Sequence, residues 1–248
     1  MSRTSLDEIP AREDSTLAKT QKTPIFSPAT FRFFRDLARN NRTPWMDANR
    51  GRYRAEVVEP FRRLLDRLAP AVLRLSPAFE TGGRSGKNFS RINRDIRFAA
   101  DKSPYRPHFY LFFSEHAEEG RGGGQLYVGL AADAVTSGFR IYFGGRDGTL
   151  ARVGAPRARE NAKWLARQKR RLARRYDSYW YSSYKGEWTR RAGWPLAPED
   201  WKRLKGWIVR RKFRPAAATR PAFVADVAKV FRDLYPLYRF TSAPDWKP

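Results

Sequence analysis

The sequence predicts an α+β fold, with a mostly antiparallel meander sheet packed by N-terminal helices and followed by a helical, basic C-terminal region. Three observations favour this fold. Two amphipathic helical patterns come first, strand-like runs separated by glycine-bearing turns follow them, and helical patterns return beyond Gly145. Consecutive strands that are joined by turns pair in antiparallel fashion, because parallel neighbours need a long crossover.

The chain divides into an arm and a domain. Residues 1–23 are polar, mixed in charge and without apolar periodicity, so we expect a disordered arm. The remaining chain can form a sizeable core, since hydrophobic residues make up 41% of all 248 positions. We therefore expect a single α+β domain over residues 24–248.

Two helices open this domain. Ser27 suits an N-cap and Pro28 the first helical position, and the apolar spacing that follows continues until Asn40 and Asn41. A second helical run covers residues 46 to about 75, where two prolines predict kinks or breaks.

Four strand-like runs follow the helices. They cover residues 89–98, 109–114, 125–131 and 139–144. A flexible turn over residues 118–124 and a tighter one over residues 133–137 lie between the later runs. The glycine-rich residues 81–87 lack the spacing of a phosphate-binding loop and precede a strand where that motif precedes a helix, which indicates a turn.

Residues 89–105 crowd charges of both signs into a strand-like pattern. In an extended strand Arg91 and Arg97 would face one way and Arg94 the other, among apolar neighbours. An unpaired charge there is costly, so Arg94 should pair with Asp95 or Asp101 or open into a polar pocket. The side chains that would line an anion pocket are Arg91, Arg94, Arg97, Lys102 and Tyr105.

Catalysis is a second interpretation of the same residues. Asp95 and Asp101 form its only close carboxylate pair. With Lys102 and His108 nearby, they could belong to an enzyme that acts on a phosphorylated or otherwise anionic substrate. Flanking arginines should lower the pKa of both carboxyl groups, which favours ion pairing over general-base work. A third interpretation is therefore a network of ion pairs that only fixes the fold.

The helical pattern over residues 157–176 contains the densest basic run of the chain. Its cations are Arg167, Lys169, Arg170, Arg171, Arg174 and Arg175. Such a stripe could track the phosphates of a nucleic acid, although a charge run is usually just a solvated face. Aromatic residues crowd positions 176–194, where they could stack unpaired bases or form part of the core. Helices over residues 198–212 and 221–237 should close the chain.

The amino-acid composition limits which partners, cofactors and location we expect for this chain. The formal charge is +25, which should attract a polyanion such as nucleic acid, although the codon usage of a GC-rich genome could also place arginine at solvated positions. The chain has no cysteine and only two histidines, so we expect neither a metal site nor a cofactor. Because no apolar run is long enough to span a bilayer and no secretory signal opens the chain, we expect a cytoplasmic protein with no membrane contact.

Several strings together resemble the uncharacterised family called domain of unknown function 2461. The most specific one runs from Arg91 to Phe98 and leads into Asp101-Lys-Ser-Pro-Tyr105 and His108. Shorter matches are Phe26-Ser-Pro-Ala-Thr-Phe, Asn40-Asn41-Arg, Trp45, Asn49-Arg50, Tyr53 and Pro60. The resemblance covers nearly everything from Phe26 onward and implies one contiguous domain. It implies no activity, so polyanion binding, an enzyme and a scaffold stay open.

Overall fold

The computed structural model describes residues 23–115, 123–142, 149–184 and 187–248. The predicted arm, except for its last residue, and most of the predicted turn over residues 118–124 lie outside these ranges. The helices of the described residues are α1 (Pro28–Arg39), α2 (Thr43–Ala48), α3 (Arg50–Tyr53), a π-helical turn (Arg54–Val58), α4 (Glu59–Leu73), α5 (Thr149–Glu160), α6 (Ala162–Leu172), α7 (Pro198–Arg203), α8 (Pro215–Ala218) and α9 (Phe223–Ser242).

The described strands form one sheet. They are β1 (His108–Phe113), β2 (Gln125–Ala131), β3 (Val135–Tyr142), β4 (Asp177–Tyr184), β5 (Glu187–Ala192) and β6 (Leu204–Phe213). Their order across the sheet is β1-β2-β3-β6-β4-β5, and every neighbouring pair is antiparallel. The predicted α+β class and antiparallel sheet are confirmed. The first three strands correspond to three of the four strands of the predicted meander, and strands from the second half of the chain extend the sheet.

The N-terminal helices agree with the prediction. Helix α1 begins at Pro28 directly after Ser27, whose backbone amide donates to Thr30 Oγ1 at 3.5 Å. The second predicted run is helical over most of its length, but it widens into the π-helical turn before Pro60. Proline has no amide hydrogen to close an ordinary α-helical turn onto Glu56, which accounts for a widening at this point.

The predicted strand over residues 89–98 is wrong. Its described pairings are isolated bridges, from Phe89 to Leu111 and from Asn93 to Tyr105. The Arg94 amide donates to the Pro104 carbonyl oxygen at 2.8 Å, so the chain turns back on itself and closes a loop over residues 94–104. Phe98, which the strand would have placed on the apolar side, is 96% exposed.

The predicted helix over residues 198–212 is also wrong beyond its first turns. The proline signal at Pro198 does open a helix, but α7 ends at Arg203 and the chain continues as β6. The run Trp207-Ile208-Val209 is buried on both faces of the sheet, as a central strand requires. The aromatic residues after Tyr176 likewise form β4, while α9 lies close to the last predicted helix.

The two faces of the sheet differ in what covers them. On the inner face, α9 packs on β2, β3 and β6, and α4 packs on β1. Aromatic contacts connect these layers, with ring centroids 5.8 Å apart for Phe113 and Phe231 and 5.0 Å apart for Phe61 and Phe109. The predicted packing by N-terminal helices thus holds at β1, whereas the C-terminal α9 covers the centre. None of the described helices has the length and hydropathy to cross a membrane.

Candidate functional site

The loop over residues 94–104 pairs its charges internally. Arg94 Nη1 forms an ion pair with Asp101 Oδ2, which confirms one of the two predicted partners. Asp101 Oδ1 also accepts a hydrogen bond from the Ser103 amide at 2.8 Å. A carboxylate that caps its own turn in this way stabilises the loop conformation.

The other charges of the loop also contact neighbours. Arg97 binds Asp95 through two parallel hydrogen bonds, with Nη2 to Oδ2 at 2.7 Å and Nε to Oδ1 at 3.0 Å. Lys102 Nζ donates to the Ile96 carbonyl oxygen at 3.1 Å. Three of the four cations assigned to an anion pocket are therefore engaged within the loop, and all of these contacts are solvent-exposed.

These contacts set the proton affinity of the two carboxylates. Hydrogen bonds from Ser103 and then from Arg94 hold the pKa of Asp101 well below its usual range. The hydrogen bonds from Arg97 lower the pKa of Asp95. The expected direction of both shifts is confirmed. Carboxylates that stay ionised and arginine-bound are poor general bases near neutral pH.

The remaining members of the predicted site lie apart from this loop. Tyr105 is buried in the core, and Asn41 holds its backbone: the Asn41 side-chain amide donates to the Tyr105 carbonyl at 2.8 Å, and the Tyr105 amide donates to Asn41 Oδ1 at 3.0 Å. His108 lies on the opposite side of the sheet from the helices. Arg91 lines a separate cleft beside Tyr53. The structure therefore distributes the predicted residues over four places: the loop, the core, the opposite side of the sheet and the cleft.

The basic run lies on α6 and just after it. Arg171 Nη2 donates to the Asp233 carbonyl oxygen at 2.7 Å, and Arg175 Nη1 lies 3.0 Å from Asp233 Oδ2, so these two cations bind α9. The other four predicted residues, with Lys163 and Leu196, line an open groove of about 860 Å³: Arg167, Lys169, Arg170 and Arg174. Among the described residues, no aromatic side chain lines this groove.

Aromatic side chains gather instead on the side of the sheet away from the helices, called here the outer face. Because opposed residues of antiparallel strands share a face, the strand register assigns the side chains. Phe112 opposes Tyr127, and Arg140 opposes Ile208, which in turn opposes Tyr179. The aromatic residues of the outer face are His108, Tyr110, Phe112, Tyr127, Tyr142, Tyr179, Tyr181 and Trp188.

Arginines lie over these rings. The Arg140 guanidinium carbon is 4.8 Å from the ring centre of Tyr110 and 5.0 Å from that of Tyr127. Arg190 and Arg210 lie 4.1 Å and 5.0 Å from the Tyr179 ring. Planar guanidinium groups on tyrosine faces give alternating layers of cation and ring, held by cation–π attraction.

Glycines let some rings lie flat on the sheet. A Cβ atom at Gly129 would overlap the Tyr110 ring, and one at Gly206 would come within 2.7 Å of the Tyr142 ring. The absence of a side chain at these positions leaves the space that each tyrosine occupies. Glycines and tyrosines at facing positions of the strands thus produce the aromatic surface.

The outer face is open to solvent at its edge. Trp188 is 49% and Tyr142 is 43% exposed, and a chain of ring contacts connects them through Tyr181. Among the described residues, the buried cluster at its centre is packed only by other strand residues. The charged side chains on this face are Arg140, Arg190, Arg210, Lys212 and Asp177.

His108, Tyr127 and Tyr142 of this face are neutral at physiological pH. Burial raises the pKa of Tyr142 to about 12 and raises that of Tyr127 further. Burial, together with Arg106, Arg140 and other arginines, lowers the pKa of His108. The positive charge of the face therefore comes from arginine and lysine. No three histidine, aspartate or glutamate side chains converge as metal ligands in the described ranges.

Comparison with known families identifies the chain. The model of the conserved hypothetical proteins named DUF2461 matches residues 29–240. The chain belongs to the DUF2461 family. The matched range begins in α1 and ends in α9, so in this DUF2461 chain it includes the outer face as well as the loop over residues 94–104. A search of curated proteins found none that matches.

Sequence reasoning missed most of the outer face of this DUF2461 domain. It considered the aromatic residues after Tyr176 as a stacking surface but grouped them with the basic helix, from which the sheet separates them. A usable signal exists in the alternation of β4, where Tyr179 and Tyr181 face out and Trp180 faces the core. The outer-face residues of β1, β2 and β3 become neighbours of these tyrosines only when the sheet assembles, with β6 between β3 and β4.

Proposed function

We propose that this DUF2461 protein binds single-stranded nucleic acid on the outer face of its sheet. The observation that carries the proposal is the layer of tyrosines interleaved with arginines on that face, exposed at its edge at Tyr142 and Trp188. Every base has a π-face, so aromatic side chains stack on unpaired bases whatever the sequence, while nearby cations bind the phosphates. The overall charge of +25 supports a polyanionic partner.

Trp188 and Tyr142 are the expected stacking residues, because they are the most exposed rings of the face. Stacking on one aromatic side chain contributes roughly 1–3 kcal/mol per base, or about 5- to 150-fold in Kd. Arg190 is exposed beside them and can contact phosphates, and Lys212 is exposed at the far end of the same face. Duplex DNA hides its base faces, so the proposal favours single strands.

The groove beside α6 supports nucleic-acid binding less well. It offers cations without rings, and two members of its basic run already bind Asp233. Catalysis at Asp95 and Asp101 has less support still, because arginines and backbone amides occupy both carboxylates. Asp101→Asn should therefore leave nucleic-acid affinity unchanged.

Fluorescence anisotropy with a labelled single-stranded oligonucleotide tests the proposal. The double variant Tyr142→Ala/Trp188→Ala should bind at least about 30-fold more weakly at near-physiological salt, taking about 1 kcal/mol for each of the two lost stacking contacts. Tyr142→Phe/Trp188→Phe keeps both rings and should bind nearly as the wild type does.

The matched charge control lies on the other side of the sheet. Arg167→Ala/Arg170→Ala removes two cations from the α6 groove, and its effect should be small and largest at low salt. If this variant loses the affinity while the aromatic variant keeps it, the outer face is not the binding surface.

A further inference from the structure

A second concave site lies on the helical side of the sheet, beside the family string. The cleft has a volume of about 380 Å³, which falls within the usual range for small-molecule sites. Its apolar wall consists of Tyr53, Phe89 and Phe109: Phe89 stacks on Phe109, and Tyr53 meets Phe109 edge-on, both with centroids 6.2 Å apart. The cleft thus has one aromatic side.

The opposite rim is polar and basic. Arg62, Ser85, Ser90, Arg91 and Asn93 line it. Arg91 forms neither an ion pair nor a side-chain hydrogen bond with any described residue, and Arg62 has only a 3.6 Å contact with Glu59, in which both side chains are largely exposed. Exposed pairs of this kind contribute little, so both guanidinium groups are available to a ligand.

The rim is held in place before any ligand arrives. Buried Asn88 accepts a hydrogen bond from the Gly83 amide at 2.9 Å and donates to the Glu80 carbonyl at 2.7 Å. Ser90 exchanges hydrogen bonds with Tyr110 on β1, each at 3.0 Å. A site that is already ordered loses less conformational entropy on binding.

We propose that this cleft binds a small organic anion. A planar apolar body would lie against Tyr53, Phe89 and Phe109, and a carboxylate or phosphate group would lie between Arg62 and Arg91. Guanidinium forks bind both kinds of anion through paired hydrogen bonds. Burial raises the pKa of Tyr53 to about 12, so its hydroxyl stays protonated and adds a neutral donor beside the two cations.

The cleft and the outer face are independent sites. Phe109 lines the cleft and the next residue, Tyr110, lies on the outer face, so the two sites are on opposite sides of β1. Variants of one site should not alter the other. The outcome for the cleft therefore does not depend on whether the protein binds nucleic acid.

Ligand-observed NMR titrations with four probes test the cleft. Phenyl phosphate and benzoate supply the planar body with each anion, phenol supplies the body alone, and inorganic phosphate supplies the anion alone. We expect saturation transfer and a measurable Kd for phenyl phosphate, benzoate or both, and much weaker signals for the other two. Which of the two binds more tightly separates a phosphate site from a carboxylate site.

Variants of the rim residues test whether the probe binds in this cleft. Arg91→Ala and Arg62→Ala should each weaken the bound probe by about tenfold, the usual size for a lost hydrogen bond to a charged group. Arg32→Ala removes an exposed cation from α1 and should change nothing, and neither should Tyr142→Ala/Trp188→Ala. The proposal is overturned if neither anionic probe binds at millimolar concentration, or if both cleft variants bind as tightly as Arg32→Ala.

Discussion

At the scale of single residues, Asn41 connects two distant parts of the chain. Its side chain satisfies both the amide and the carbonyl group of Tyr105, whose ring is buried in the core. Removing a partner from buried backbone groups costs more than the hydrogen bond itself contributes, because the orphaned groups stay desolvated. Asn41 is therefore a stronger structural contact than the charged pairs of the nearby loop.

Asn41→Ala should lower the free energy of unfolding by about 1–3 kcal/mol. The matched control is Asn40→Ala, since the Asn40 side chain only donates to the Asp36 carbonyl within its own helix. Urea denaturation followed by tryptophan fluorescence measures both. Equal losses for the two variants would show that the contact with Tyr105 is unimportant.

His108 makes stability depend on pH. Burial and nearby arginines lower its pKa in the folded protein, so the unfolded chain, with an ordinary histidine pKa of about 6.5, binds the proton more readily. The contribution of neutral His108 is complete above that pKa and is lost as the pH falls through it toward the lower folded value. The pKa values of Asp95 and Asp101 are also lowered, but they act at far more acidic pH.

We predict that the wild type loses more stability than His108→Gln between pH 7.5 and pH 5.5. Urea midpoints at the two pH values provide the measurement. The other histidine, His116, is present in both proteins, so its contribution cancels in the comparison. An identical pH dependence in the two proteins would contradict the assigned pKa shift.

At the scale of elements, glycine in β3 sets how closely β3 and β6 approach. A Cβ atom at Gly138 would overlap the Val209 carbonyl oxygen and lie 2.8 Å from Arg210 Cα, and backbone atoms cannot rotate away. At Gly51, in α3, a Cβ atom would meet nothing within 4 Å. The same substitution should therefore act in opposite directions at the two positions.

Gly138→Ala should destabilise the protein by about 1–3 kcal/mol through overpacking. Gly51→Ala should stabilise it by about 0.5–1 kcal/mol, because alanine lowers the entropy of the unfolded chain and favours helix. Thermal and urea denaturation of both variants show whether each substitution raises or lowers the free energy of unfolding. A neutral Gly138→Ala would mean that the two strands can separate without cost.

The elements also show what a sequence can predict. Helix α1 and strand β2 were predictable, because a capped amphipathic helix and a short apolar run between glycine-bearing turns can be recognised from neighbouring residues alone. Strand β6 was not predictable, because a proline that signals the start of a helix preceded it. Its central burial also depends on its pairing with β3, which lies more than sixty residues away. Residues 89–98 alternate like a strand, but their charges pair within a loop.

The candidate site was less predictable than the fold. The Arg94–Asp101 pair joins residues seven positions apart and was predicted as one of two alternatives. The outer face combines Tyr110, Tyr142 and Tyr179, which are adjacent only after the strands assemble. The spacing of residues along the chain does not reveal the order of the strands in the sheet. A cluster of this kind can therefore be recognised only in the folded chain.

At the scale of the whole molecule, the sheet unites the two halves of the chain. Strands β1 to β3 come from residues 108–142, and β4 to β6 come from residues 177–213. The antiparallel pairing of β3 with β6, from Val135 opposite Phe213 to Tyr142 opposite Gly206, joins the halves at the centre. Helix α9 packs across this junction on the inner face.

We predict that the two halves unfold together as one cooperative unit. Native-state hydrogen exchange should give the amides of β2 and β4 similar free energies of opening, and Gly138→Ala should lower both by the same amount. If Gly138→Ala lowers the protection of only one half, the chain contains two units rather than one.

The central claim is that single-stranded nucleic acid binds the outer face. The most direct measurement is photocross-linking of a single strand containing 5-iodouracil at near-physiological salt, with the adducts mapped by mass spectrometry. We expect adducts at Tyr142 or Trp188, and heparin present during irradiation should suppress them less than it suppresses adducts formed at low salt. Adducts confined to residues 162–175, or none at this salt concentration, would contradict the claim.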